Sequence, residues 1–388
     1  MAEFRSGWSA IAAIPNRNSR RAPSPLAGLR GWNVFGLMPG RTGGAEEFPS
    51  GGPNSYLSPA MIPVLPASPA SLQKAAEALR AGRLVAFPTE TVYGLGACAL
   101  DALALAKVFE AKQRPFFDPL IVHVADRGDL VGLVDTAALG DDRARLLMDR
   151  FWPGPLTLVL PKSAAVPDLA TSGLPTVAVR MPAHPVALDL IRAAGFPVAA
   201  PSANPFGRLS PTTAAHVQER FESGIELILD GGPCAVGVES SILSLAGETP
   251  VLLRAGGVSR EEIEALIGPI SLGASVADKP IAPGQLAGHY APRTRLKILD
   301  DTETLPLAGS RLGWLGFRNG PREPHAAVEI LSPAGDLREA AANLFACLHR
   351  LDKAGLDLIY AEPVPETGLG TAIMDRLRKA AAGSAEGL

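Results

Sequence analysis

The residues best suited to chemistry are four clusters of cations and hydroxyls. Lys112 and Arg114 stand two apart where a helical pattern ends. Ser202 and Asn204 follow the apolar run Val198-Ala-Ala200. Thr176 and Arg180 bound the alternating run Thr176-Val-Ala-Val-Arg180. Arg254 ends Val251–Leu253 and is followed by Gly256-Gly257. Guanidinium forks, an ammonium, hydroxyls and glycine backbone together suit an anionic ligand, phosphate above all. Plainer roles are also open to them. Lys112 and Arg114 could serve only as charges at a helix C-terminus. Ser202 and Asn204 could form an Asx or Ser turn. Arg180 faces inward on an apolar strand and so needs a partner, because an unpaired buried charge is very costly. His123 is either a base or ligand contact, or a satisfied core histidine. Glu362 and Glu366 read as solvated turn residues rather than a carboxylate pair.

The elements that must position these groups gather round Leu84-Val-Ala-Phe-Pro-Thr-Glu-Thr-Val-Tyr-Gly-Leu-Gly96. Leu84 to Phe87 is a short buried strand by pattern. Pro88 has no N–H to give a ladder. Thr89, Glu90, Thr91 and Tyr93 then form a polar loop, Gly94 and Gly96 follow, and Asp101 caps a helix. Strand, polar loop, glycines and helix form the arrangement that binds ligands at the carboxyl end of an open α/β sheet. Helices are expected over about 69–81, 102–112, 141–151, 185–194 and after Thr212. Ser259-Arg-Glu-Glu262 is a capping box that opens another. Strands are expected at 120–124, 156–160, 176–180, 198–200, 226–230, 241–245 and 251–254. There is no GxxxxGK[ST] phosphate loop and no GxGxxG dinucleotide fingerprint. No serine-triad signature is present either.

Composition narrows the class. Of the 388 residues, 47% are hydrophobic and 19% charged, which is globular. A net charge of −3 gives no basic field to draw the chain onto nucleic acid or an anionic membrane. No apolar run reaches the roughly 20 residues of a membrane span. Cys98, Cys234 and Cys347 lie far apart and form no CxxC, which fits buried thiols in a reducing, cytoplasmic compartment.

Residues 1–60 are rich in Gly, Pro, Ser and Arg and are expected to be disordered. Their arginines faintly resemble those of a transit peptide, but scattered prolines spoil an amphipathic helix. Met61 opens the globular pattern. A first domain is expected over 61–268, a linker over 269–294 and a smaller α/β domain over 295–388. The small domain alternates strands at 296–299, 312–317, 328–331 and 358–361 with helices at about 337–354 and 370–381. Within the linker, Pro283-Gly284 and Ala291-Pro292 bracket Leu286, His289 and Tyr290. A passive tether needs only flexible polar residues. The segment 282–292 therefore reads as a lid over the site anchored by the second domain, or as packing between the domains.

The motifs Phe87-Pro-Thr-Glu-Thr-Val-Tyr-Gly-Leu-Gly96, Lys112-Gln-Arg-Pro115, Pro119-Leu-Ile-Val-His123, Trp152-Pro-Gly-Pro-Leu-Thr157, Val179-Arg-Met-Pro182 and Ala200-Pro-Ser-Ala-Asn204 occur in this order. With them the chain resembles the YrdC-like threonylcarbamoyl-AMP synthases in their longer, two-domain form, from about residue 61 onward. The resemblance implies an open twisted sheet whose helices form a concave ligand site, plus a smaller Rossmann-like α/β domain. It implies a nucleotidyltransferase that makes threonylcarbamoyl-AMP and pyrophosphate from L-threonine, bicarbonate and ATP. A partner complex would use the product to modify tRNA, and Mg²⁺ is expected with ATP. Lys112 and Arg114 carry the implied catalytic role. Implied ATP contacts are Arg114, Asp118, Thr176, Ser202, Asn204, Ser210, Arg254 and Tyr290. Implied L-threonine contacts are Thr89 or Thr91, His123, Arg180, Ala200 and Ser240. The resemblance marks no metal ligands. Asp118 departs from the Asn of many relatives, and Ala287 stands where some have Tyr. The rival reading is an RNA-binding module of the same fold without synthase activity. A different carbamoyl-adenylate enzyme, of the hydrogenase-maturation kind, would need zinc-finger and acylphosphatase segments that this sequence lacks.

Overall fold

A computed structural model describes residues 61–273, 280–286, 288–299 and 309–385. The expectations for residues 1–60 and for Ala287 fall outside these ranges. The first domain is built on a large mixed sheet. Its strands are β1 (Val64–Pro66), β2 (Val85–Phe87), β3 (Gly94–Cys98), β4 (Ile121–His123), β5 (Leu156–Pro161) and β6 (Thr176–Arg180). They continue with β7 (Val198–Ala199), β8 (Leu227–Asp230), β9 (Ser241–Ser244), β10 (Val251–Arg254) and β11 (Ser271–Leu272). Their spatial order is β1-β8-β2-β3-β7-β4-β6-β5-β9-β10-β11. Helices α1 (Pro69–Arg80), α2 (Ala102–Lys112), α3 (Asp142–Phe151), α4 (Asp168–Thr171), α5 (Pro185–Ala194), α6 (Ala214–Gln218) and α7 (Arg260–Ile267) surround it.

Local chemistry sets these limits. Ser68 caps α1 by accepting from Ser71 N–H at 3.2 Å, with Pro69 in the first turn. Asp101 caps α2, which ends where Gln113 turns left-handed at φ 51°. That reversal sends Arg114 away from the helix axis. Ser259 and Glu262 form the expected capping box on α7. In β6, Val177 and Val179 join one apolar cluster while Ala178 joins another, so the alternation places Arg180 on the Ala178 face.

Two expectations change. The glycines after the polar loop do not lead straight into a helix. They lie in β3, which pairs antiparallel with β2 through Val85↔Gly96 and Phe87↔Gly94. The organising stretch is therefore a hairpin. A Cβ on Gly96 would sit 2.8 Å from the Phe87 ring, and one on Gly94 would sit 3.1 Å from Ala200 Cβ. The strand needs glycine there because its neighbours approach so closely. The large sheet also runs past residue 268, because β11 pairs in parallel with β10.

The second domain has a parallel sheet of β12 (Arg295–Ile298), β13 (Leu312–Gly316), β14 (Ala327–Ile330) and β15 (Leu358–Ala361), in the order β12-β15-β13-β14. Helices α8 (Leu337–Lys353) and α9 (Leu369–Ala385) pack against it. Its core takes in Val92, Leu209 and Val238 from loops of the first domain and Tyr290 from the linker, so all three parts share one apolar cluster.

Candidate active site

A cleft opens beside the β2–β3 turn. Its lining includes Thr91, Arg114, His123, Arg180, Ser240 and Arg254. Its free volume is about 60 Å³.

Arg180 is buried at the end of β6. It is the inward arginine whose partner the sequence left unnamed, and that partner is Glu90, with Nη2 2.6 Å from Oε1. Nη1 donates to Thr91 Oγ1 at 3.0 Å, and Nε donates to the Gly154 carbonyl at 3.2 Å. The hydroxyls of Thr89 and Thr91 are 2.8 Å apart. Thr89 donates to the Val92 carbonyl at 2.6 Å and accepts from the N–H groups of Thr91 and Val92. Thr89 therefore shapes the turn, while Thr91 meets Arg180. Both line the cleft, as does Ala200. His123 lies on β4 with Nδ1 3.2 Å from the Ile121 carbonyl. Burial, and then the charge of Arg180, lower its pKa to about 3, so the ring is neutral at working pH.

Arg114 is pinned by its own loop. Nε donates to the Asp118 carbonyl at 3.0 Å and Nη2 to the Pro119 carbonyl at 2.8 Å. The Asp118 carboxylate pairs with it at 2.8 Å from a fully buried position. Burial raises the Asp118 pKa, against the pull of Arg114, Lys112 and Arg254. Arg254 donates to the Ser240 carbonyl at 3.0–3.1 Å, to Ser240 Oγ at 3.2 Å and to the Pro283 carbonyl at 3.1 Å. Ser240 Oγ lies 2.8 Å from the Thr157 hydroxyl. Pro283, Gly284, His289 and Tyr290 close the cleft from the linker side.

The cleft thus gathers Thr89, Thr91, Arg114, His123, Arg180, Ala200, Ser202, Ser240, Arg254 and Tyr290 from the expected set. Five expected residues do not line it. Lys112 is buried behind the wall, where its ammonium donates to the carbonyls of Ser202 and Asn204. Burial, and then Arg114, hold its pKa well below the usual lysine value. Asn204 donates to the carbonyls of Pro205 and Arg208, so it shapes the same loop. Asp118 stands behind Arg114. Ser210 is spent on Glu239, to which its hydroxyl donates at 2.5 Å. Thr176 lies at the far end of β6 from Arg180, paired with Pro161.

Glu239 lines the cleft although no motif singled it out, and His289 was expected only as part of the linker segment. A lone Glu before Ser240-Ser241 carries no signal until its partner is known. That partner is Arg376, whose Nε donates to Glu239 Oε2 at 2.8 Å from α9 of the second domain. Burial pushes the Glu239 carboxyl up, but Arg376, Arg254 and Ser210 hold it below the usual range.

Known proteins resemble this chain in sequence and fold. Residues 77–256 match the Sua5, YciO and YrdC family, described as "Telomere recombination". Residues 258–382 match the "Threonylcarbamoyl-AMP synthase, C-terminal domain". The threonylcarbamoyl-AMP synthase of Pyrococcus abyssi is 47% identical over 322 residues, which is 79% of this chain and 92% of that protein. The chain belongs to the threonylcarbamoyl-AMP synthase family. The Bacillus subtilis synthase is 46% identical over 325 residues, covering 80% of this chain and 93% of that protein. The structure of P. abyssi Sua5 complexed with L-threonine is similar, with a TM-score of 0.77 and 43% identity over 84% of this chain and 98% of that one. The two matched segments make this a long, two-domain synthase, with the cleft walled by the first domain and the linker.

Proposed function

We propose that this synthase condenses L-threonine, bicarbonate and ATP into threonylcarbamoyl-AMP and pyrophosphate. One observation carries the reading. Three buried arginines, Arg114, Arg180 and Arg254, converge on a single cleft with hydroxyls between them. Such a cleft has poles for two anions, an amino-acid carboxylate and a polyphosphate. The names of the relatives, and the L-threonine bound by the Pyrococcus protein, supply the identity of those anions. The same names favour a synthase over an RNA-binding module, which a net charge of −3 also disfavours.

Arg180 with Thr91 would take the threonine carboxylate, and Ser240 and Ala200 would border the side chain. The threonine amine attacks the carbon of bicarbonate and water leaves, giving the carbamate. A carbamate oxygen then attacks the α-phosphorus of ATP and the bond to pyrophosphate breaks. Arg114 and Arg254 offset the charge that builds on the phosphates, while Lys112 holds the Ser202–Asn204 loop that faces them. Chemistry of this kind needs positioning and preorganised charge, not a protein nucleophile. The amine proton leaves with the departing water, and neutral His123, too weak a base to take it, would only border the threonine.

Magnesium is taken to arrive as the ATP complex. The two carboxylates nearest the phosphate pole are engaged, Asp118 with Arg114 and Glu239 with Arg376. Among the described residues no group of three or more His, Cys, Asp or Glu could hold a metal. The phosphates would therefore be its ligands, and bound there it would offset their charge.

The residues Pro283, Gly284, His289 and Tyr290 close the cleft from the linker side, so their withdrawal would open it to ATP. The adenylate would pass to a tRNA-modifying partner complex. The three unpaired cysteines fit a cytoplasmic setting, and no described helix is long and apolar enough to cross a membrane. Pyrophosphate release is the test, measured with threonine or bicarbonate omitted in turn. Release that depends on both is expected, and release indifferent to either would overturn the reading.

A further inference from the structure

We propose that Arg376, on α9 of the second domain, is a positioning residue of the ATP site that keeps Glu239 from repelling the triphosphate. The inference rests on the reading of the cleft as an ATP site. Glu239 sets a carboxylate in a wall otherwise rich in arginine. Alone, it would cancel part of the field that Arg114 and Arg254 present to phosphate. It is not alone. Oε1 accepts from the Ser210 hydroxyl at 2.5 Å and Oε2 from Arg376 Nε at 2.8 Å, so both oxygens are engaged. Arg376 is wholly buried, and Nη1 donates to the Ala255 carbonyl at 2.9 Å and to Asp375 at 2.7 Å.

The same guanidinium lies 5.0 Å from the ring centre of Tyr290, which lines the cleft. One turn further along α9, Lys379 donates to the Gly284 carbonyl at 2.7 Å. A further turn on, Gly383 meets Gly288 so closely that a Cβ would stand 2.6 Å from the Gly288 oxygen. Positions 376, 379 and 383 share one helical face. That face grips the linker segment and the wall carboxylate together. The second domain therefore contributes to the electrostatics of a cleft its own side chains do not line.

The test is a double-mutant cycle in the full chain, read by pyrophosphate release. Arg376→Met should raise KM for ATP roughly tenfold, and KM for L-threonine by much less. Adding Glu239→Gln should bring KM for ATP back to within about threefold of wild type, because it removes the unpaired charge. Packing alone predicts no such rescue. An unchanged KM in Arg376→Met, or a folded double variant with KM still raised, would overturn the proposal. If Arg376→Met does not fold, Arg376→Gln with and without Glu239→Gln carries the test: a raised KM for ATP in the single variant and its rescue in the double are expected, and no rise in the single variant overturns the proposal. A wild-type chain that releases no threonine-dependent pyrophosphate would count against the functional reading instead. Equilibrium titration of ATP into the same variants would then give the affinities directly.

Discussion

Arg180 reaches the cleft with its donors already committed to Gly154 and Thr91 and with Glu90 against it. These contacts orient its fork, so a carboxylate it took would be placed by the fold. Removing one partner of a buried ion pair leaves the other charge uncompensated. Glu90→Gln should therefore lower folding stability by about 3 kcal/mol, read as a shift in urea midpoint at constant slope. A shift near zero would mean that solvent already screens the pair. Arg114 leads to a different expectation, because it lines the cleft where the phosphates are proposed to bind. Arg114→Ala should cut turnover by about 10²–10³-fold, the usual cost of losing one preorganised donor in a dry site. Near-normal turnover in a folded variant would remove Arg114 from the catalytic set. Lys112 sits one layer back, bonded to two carbonyls of the Ser202 loop. Its loss should lower melting temperature by freeing that loop, whereas loss of Arg114 should do so by leaving buried Asp118 unpaired.

Helices α6 and α8 meet through a pair of stacked histidines, one from each domain. The rings of His216 and His349 lie 3.9 Å apart, and His349 Nε2 bonds the Ser210 carbonyl at 3.0 Å. Burial, with Lys353 and Arg220 nearby, lowers the pKa of His216 to about 4 despite Glu219. Burial and His216 lower that of His349 to about 3. Both values lie below the roughly 6.5 of an unfolded histidine, so the unfolded chain binds the extra protons. The stability these rings contribute is complete above about pH 6.5 and is lost as pH falls toward 3–4. Melting temperature should drop over that window, and His349→Gln should flatten the drop without shifting the neutral-pH profile of turnover. An unflattened profile would place the acid sensitivity elsewhere. At this scale the sequence was readable wherever a local rule sufficed. The cap at Asp101, the box at Ser259 and the alternation of β6 stand where propensity put them. The β2–β3 hairpin was not readable, because Gly94 and Gly96 look like turn residues until Phe87 and Ala200 are seen against them. Glu90, Glu239 and Arg376 were hidden for the same reason. Each acquires meaning only from a partner far away in the chain.

The two domains and the linker form one machine around the cleft. Tyr290 stands at φ 65°, packs 5.8 Å from Phe345 of the second domain and lines the cleft as well. Movement of segment 282–292 should therefore track ligand. Proteolysis within it should fall when ATP and L-threonine are both present, and unchanged cleavage at saturating ligand would sink the lid. Strand pairing across the whole molecule has a further consequence, for how the protein is made. A ribosome releases β1 and β2 early, yet both pair with β8, Val64 with Ile228 and Val85 with Leu227. Until β8 emerges, those edges stay open on a nascent chain. The cleft then waits for Tyr290, and the carboxylate in its wall waits for Arg376. Such long-range closure folds slowly and leaves sticky edges exposed during translation. A message cut short just before α9 yields a chain that looks nearly complete, holds Glu239 in its wall without Arg376 and is a better client for chaperones than a catalyst.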